Sequence, residues 1–201
     1  MKKRLVGDML SNLNKYHIIL ASNSPRRREL LAGLGIEFEV KVLPDIDESY
    51  PASMSVLEIA EHIAVKKAMA YRQQMAPDDL IITADTVVIA DDEVMGKPVD
   101  AADAQRMLRK LSGRKHQVTT GVCLTTRNEQ RHFSVTTDVA FKQLSDEEID
   151  YYIVHYKPFD KAGAYGIQEW IGYVGVTGLE GSYFNVMGLP VQRIYTELCR
   201  L

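Results

Sequence analysis

Apolar and polar positions divide the chain into short buried runs, amphipathic stretches and turn-forming clusters. Ile18-Ile19-Leu20-Ala21 is an apolar run of strand length. Ser22-Asn23-Ser24 breaks it, Ser24 suits a helix N-cap, and Pro25 fits a first helical position. Leu30, Leu31 and Leu34 then share one stripe, which predicts a helix over residues 26–34 stopped by Gly35. Residues 36–42 alternate apolar and charged, as a half-exposed strand does, and Pro44 ends them. Ser55 and Glu58 have capping-box spacing and open a predicted helix to about Gln73. Leu80 to Ala90, LIITADTVVIA, is apolar on both faces and reads as a central buried strand. Asp100 caps a further helix closed by Gly113, and two β-rich runs, 117–126 and 133–141, read as a long hairpin. Ser145 and Glu148 form a second capping box for a helix through Tyr156, and Pro190 opens a terminal helix through Leu198. Between those helices, residues 157–189 hold seven of the chain's 13 glycines among aromatics, which suits tight turns and close backbone packing.

Composition narrows the class. With 201 residues, 46% hydrophobic and 25% charged, the chain suits one soluble globular domain, or one domain in two lobes. Residues 1–15 are expected to be a loose N-terminal extension, with a single domain over 16–201. The net charge of -3 supplies no global field to recruit nucleic acid or an anionic membrane, so any anion site has to be local. Cys123 and Cys199 lack metal-type spacing and read as plain thiols of a reducing, cytoplasmic compartment. No apolar run reaches signal-peptide or membrane-spanning length.

Chemistry concentrates at a few points. The strand–turn–helix beginning at Ile18 gathers free backbone N–H groups beside Ser22, Ser24 and the run Arg26-Arg27-Arg28. Arginines in a first helical turn oppose the macrodipole, and a phosphate between them removes the conflict. Asp45-Ile46-Asp47-Glu48 is either a solvated turn or a source of one carboxylate, best Glu48, for Mg²⁺ or Mn²⁺. Lys67 falls in the middle of the helical stripe formed by Val56, Ala60, Ile63, Ala64 and Ala70, so it either snorkels or is held for a phosphate. Asp85 lies inside the buried strand, where a lone carboxylate is costly. It pairs with an arginine, caps a loop, or serves as base or metal ligand. Lys97, in Gly96-Lys97-Pro98, adds a turn cation, and Gln168 can donate and accept at the edge of a base. Neither a dinucleotide-binding nor a Walker glycine pattern is present.

These residues stand in blocks that resemble the Maf family of nucleoside triphosphate pyrophosphatases. SNSPRR at 22–27, VKKA at 65–68, TADTVV at 83–88, GKP at 96–98, LSGRKHQVTTGV at 111–122, DKAGAYGIQ at 160–168 and VMGLPV at 186–191 occur in the family's order. The resemblance implies an α/β fold of ITPase-like type, an elongated mixed twisted sheet flanked by helices in two lobes around a cleft. It implies metal-dependent hydrolysis of a nucleoside triphosphate to monophosphate and pyrophosphate. Asp85 matches the family's proton acceptor and, with Glu48, its metal-side carboxylates. Ser22, Arg26, Lys67 and Lys97 match its substrate-binding positions. One extra residue in the acidic loop leaves Asp47 as a rival to Glu48. Arg26, Thr86 and Gln168 match the positions that mark a dTTP/UTP subgroup. Glu169-Trp170 departs from the small residue that many members carry after that glutamine. The resemblance makes a nucleoside triphosphate the expected partner, with neither nucleic acid nor membrane, and is compatible with a homodimer. A nucleotide-binding regulator of cell division without significant turnover is the alternative.

Overall fold

The structure, a computed structural model, describes residues 9–201, and the basic residues 1–8 of the expected extension lie outside the described residues. Residues 9–15 are packed rather than loose. Ser11–Lys15 form a 3-10 turn, Leu10 and Leu13 are buried, and Asn12 Nδ2 donates to Leu198 O at 2.8 Å. Two leucines three positions apart give this short turn an apolar side of its own.

In chain order the elements are β1 (His17–Leu20), α1 (Pro25–Ala32), β2 (Glu39–Val40), α2 (Ile59–Arg72), β3 (Asp79–Ala90), β4 (Glu93–Met95), α3 (Ala101–Leu111), β5 (Lys115–Thr125), β6 (Gln130–Phe141), α4 (Asp146–Tyr156), α5 (Trp170–Gly175), β7 (Val176–Glu180), α6 (Tyr183–Val186) and α7 (Val191–Leu198). Seven strands form one sheet in the order β2-β1-β3-β5-β6-β7, with β4 on β3. β1 runs parallel to β2 and β3, whereas β4 on β3 and β7 on β6 are antiparallel. The fold is therefore α/β with a mixed sheet flanked by helices, as the alternating elements predict.

Three element boundaries differ from the sequence reading. α1 stops at Ala32, and residues 33–35 form a turn that ends on Gly35 at φ 72°. α2 starts at Ile59 with Glu58 at its N-cap and no side-chain cap; Ser55 O accepts from Glu58 N at 2.9 Å, closing a separate turn instead of a capping box. β2 shrinks to two residues because its partner runs out: Ile19 pairs with Glu39 and Leu20 with Val40, where β1 ends. Alternation records one-sided exposure, not the length of the neighbouring strand.

The described chain gathers into two compact units. The first holds residues up to Asp85, Thr120–Val135 and Gly188–Leu201. Its core includes Ile19, Tyr71, Met75 and Ile81, with a second cluster of Ala64, Ala68 and Cys123. α2 packs on β5 so closely that a Cβ on Gly121 would lie 2.2 Å from Glu61 N. The other unit holds Thr86–Thr119 and Thr136–Met187, around Val88, Met95, Leu108, Phe141, Ile149 and Ile171. Burial pushes the Cys123 thiol up to about 11, which keeps it protonated and inert, and Cys199 is exposed. Among the described residues no helix is long and apolar enough to cross a membrane.

Candidate active site

In the first unit, β1 delivers the chain into the Ser22–Ser24 turn. Ser22 is buried and its Oγ accepts from Ser24 N at 3.2 Å; Ser24 Oγ accepts from Arg27 N at 3.4 Å, capping α1 as predicted. Arg26 is half-buried in the first turn of α1. The side chain that ties this turn to the sheet is Arg27, which the sequence did not single out from its triplet. Its Nη1 donates to Ala84 O and its Nε to Gly188 O, each at 2.8 Å. Burial pulls the guanidinium below its ordinary value, while Asp85 and Glu48 hold it charged. Consecutive helical residues point about 100° apart, so the three arginines face different ways, and Arg27 is the one bonded to Ala84 O on β3. The repeat of one letter conceals which.

β3 is buried at every position except Asp85 and Thr86, which are half-buried. Thr83 Oγ1 donates to Ala64 O at 2.7 Å and so locks β3 against α2 just before both elements present their charges. Lys67 Nζ then lies 2.8 Å from Asp85 Oδ1 and 2.9 Å from Glu48 Oε1. The Lys67 and Asp85 side chains are only 13% and 15% exposed, whereas Glu48 is 55% exposed. Lys67 neither snorkels outward nor stands alone, because it bridges two carboxylates.

The neighbouring lysine sorts the acidic loop. Lys66 Nζ contacts Asp47 Oδ2 at 2.7 Å, Ser49 O at 2.8 Å and Ser49 Oγ at 3.1 Å. Asp47 also accepts from Ser49 N and Oγ, each at 2.9 Å. The Lys66 ammonium, followed by the Ser49 donors, holds the Asp47 carboxyl well below the usual carboxylate range. Of the two rivals, Glu48 faces Lys67 and Asp85, and Asp47 is spent on holding the loop.

Among the described residues no three His, Cys, Asp or Glu side chains group together as metal ligands. Glu48 and Asp85 alone do not make a closed cage. They fit a magnesium-type ion, which takes one or two carboxylates and fills its remaining positions with phosphate oxygens and water.

The second unit holds the remaining predicted residues. Thr86 follows Asp85 on β3. The Gly96-Lys97-Pro98 turn is fastened by Gly163 N donating to Gly96 O at 3.0 Å, and Lys97 is exposed on it. Gly163 itself adopts φ 67°, and a Cβ there would meet Val88 Cγ2 at 2.9 Å. Gln168 is half-buried just before α5, and its Oε1 is buried without a hydrogen-bond partner. That orphaned acceptor has no signature in the sequence.

Residues 17–201 match the family described as Maf-like protein. The chain is 67% identical over 193 residues to the dTTP/UTP pyrophosphatase of Phocaeicola vulgatus, covering 96% of this chain and 100% of that one. It is 58% identical to the dTTP/UTP pyrophosphatase of Bacteroides thetaiotaomicron, with the same two coverages of 96% and 100%. A HAM1 protein from Coxiella burnetii shares the fold at 16% identity and a TM-score of 0.50, over 92% of this chain and 100% of that one. The chain belongs to the Maf-like family.

Proposed function

We propose that the protein hydrolyses dTTP and UTP to the nucleoside monophosphate and pyrophosphate. The observation that carries this reading is the Lys67 ammonium held between Asp85 and Glu48 at 2.8 and 2.9 Å. It combines a carboxylate able to orient water with a cation able to receive phosphate, and relatives at 67% and 58% identity bear the corresponding name. Asp85 Oδ1 is engaged by Lys67, so Oδ2 takes the proton of the attacking water as a new P–O bond forms at the α-phosphorus. The bond to the β-bridging oxygen breaks, and pyrophosphate leaves with that oxygen. The third N–H of the Lys67 ammonium is directed to the phosphates, with Arg26, Ser22 and Lys97 as further phosphate contacts. Arg27 anchors the turn from its fixed place on Ala84 and Gly188. Glu48 and Asp85 would hold a divalent metal ion, Mg²⁺ or Mn²⁺, which when bound neutralises phosphate charge. Gln168 reads the base, and Thr86 and Arg26 complete the selective set.

Pyrophosphate release from dTTP, UTP, CTP, ITP and 7-methyl-GTP, with and without EDTA, tests the reading. Metal-dependent cleavage favouring dTTP and UTP is expected. Binding of these nucleotides without turnover would instead make the protein a nucleotide-binding regulator.

A further inference from the structure

Residues 41–58 contain no helix or strand, yet they carry Glu48, the carboxylate that faces Lys67. Glu48 is 55% exposed, so burial does not fix where it points. Its position comes from α2, which grips the loop at two places. Upstream, the Tyr71 hydroxyl donates to Lys41 O and accepts from Leu43 N, each at 2.9 Å. Leu43 and Ile46 also pack on the cluster that contains Tyr71 and Ile19. Beside Glu48 itself, the grip is Lys66.

The Lys66 ammonium has three N–H donors and meets three acceptors, Asp47 Oδ2 at 2.7 Å, Ser49 O at 2.8 Å and Ser49 Oγ at 3.1 Å. One of them precedes Glu48 in the chain and two follow it. Asp47 closes the arrangement by accepting from Ser49 N at Oδ1 and from the Ser49 hydroxyl at Oδ2. A side chain bonded two residues ahead makes an Asx-type turn, and Glu48 is its middle residue. The backbone on both sides of Glu48 is thereby tied to one point on α2. Lys66 and Lys67 are neighbours on that helix and point about 100° apart. Lys66 holds the frame of the loop, while Lys67 meets the side chain at Glu48 Oε1, 2.9 Å away. The helix is in turn fixed on β3 by Thr83 Oγ1 donating to Ala64 O, two residues before Asp85 on the strand and two before Lys66 on the helix.

The Lys66–Asp47 pair is open to solvent, with Asp47 70% exposed, and such pairs add little to global stability. What this one fixes is the direction of a carboxylate. That matters most to a magnesium-type ion, which demands near-ideal octahedral geometry and tolerates little misplacement of its ligands. We propose that Lys66, acting through Asp47 and Ser49, is a positioning residue that presents Glu48 to the divalent metal ion and so sets how much Mg²⁺ the enzyme needs. The inference rests on the reading that Glu48 is a metal-side carboxylate.

The experiment uses wild type, Lys66→Met, Asp47→Ala, Glu48→Gln and the double variant Lys66→Met/Glu48→Gln. Three quantities are read: the Mg²⁺ concentration giving half-maximal UTP turnover, the thermal midpoint, and the calorimetric Kd for α,β-imido-UTP, whose α–β bridge resists hydrolysis, at limiting Mg²⁺ and in EDTA. Lys66→Met is expected to raise the half-maximal Mg²⁺ concentration about tenfold, with kcat at saturating Mg²⁺ and the thermal midpoint close to wild type. Its Kd should weaken at limiting Mg²⁺ and stay unchanged in EDTA. Asp47→Ala should shift the Mg²⁺ requirement in the same direction. In the Glu48→Gln background Lys66→Met should add less than about twofold, since the two act as one unit. A Mg²⁺ requirement unmoved in Lys66→Met but raised in Glu48→Gln would overturn the inference and leave Glu48 with its metal role. A Kd weakened equally in EDTA would make Lys66 a direct phosphate contact and overturn it too. A requirement unmoved in Glu48→Gln would overturn both.

Discussion

Lys67 Nζ sits 2.8 Å from Asp85 Oδ1, so a cation from α2 neutralises the carboxylate in the middle of β3. The same ammonium reaches Glu48 at 2.9 Å. Removing it takes away the cation that both carboxylates share. Lys67→Met is expected to lower kcat/KM for UTP by roughly 10²- to 10³-fold. Turnover by Lys67→Met close to that of the wild type would show that the ammonium serves neither Asp85 nor the phosphates.

Arg27 makes two bonds from a charged donor to backbone carbonyls, Ala84 O and Gly188 O, both 2.8 Å long. Lysine offers a point charge on a flexible stem and cannot reproduce that fork. Arg27→Lys should cost about 2–3 kcal/mol of stability, seen as a lower urea midpoint at unchanged m-value. It should also lower kcat, because Ala84 is the residue next to Asp85. An unchanged midpoint would remove Arg27 from its anchoring role.

How far the site was legible depends on contrast with the surroundings. Asp85 and Lys67 stand out because each interrupts an apolar pattern, one in a two-sided buried strand and the other on a helical stripe. Arg27 was hidden by identical neighbours, and Glu48 by a second acid one residue away. In the latter case Lys66 makes the distinction by binding Asp47 and Ser49. The contacts of Glu169 with the Tyr152 hydroxyl and the Lys161 ammonium were not legible, since they join α4 to separate segments. The long elements followed their patterns closely: β3, α3 and α4 carry the predicted burial and caps. The short β2 did not, because pairing depends on the partner strand.

His116 supplies a pH signature that is independent of catalysis. It is 3% exposed, its Nε2 is 2.7 Å from the Tyr165 hydroxyl, and Phe141 and Tyr165 meet its ring edge-on. Burial lowers its pKa to about 4, against the weaker opposing pull of Asp138. The folded protein thus keeps His116 neutral while the unfolded chain takes up a proton below about 6.5. Stability from this residue is intact above about 6.5 and lost as pH falls toward about 4, on the order of 3 kcal/mol. Urea titrations of wild type and His116→Gln between those limits should differ in slope, with the variant flatter. Parallel curves would mean that His116 titrates normally.

Gly121 is the point where β5 meets the helix that carries Lys67. A Cβ there would be 2.2 Å from Glu61 N and 2.3 Å from Ala60 O, both backbone atoms that cannot rotate away. Gly121→Ala should therefore destabilise the protein by about 3 kcal/mol or more and disturb Lys67 with it. A thermal midpoint equal to wild type would contradict the close packing of α2 on β5.

The most direct measurement is steady-state pyrophosphate release from UTP by wild type and Asp85→Asn, with Mg²⁺ and with EDTA. The exchange keeps size and removes the base, so kcat should fall by roughly 10²- to 10⁴-fold while the variant stays folded and still binds nucleotide. Turnover by Asp85→Asn close to that of the wild type would contradict Asp85 as the proton acceptor and Lys67 as the residue that holds it in place.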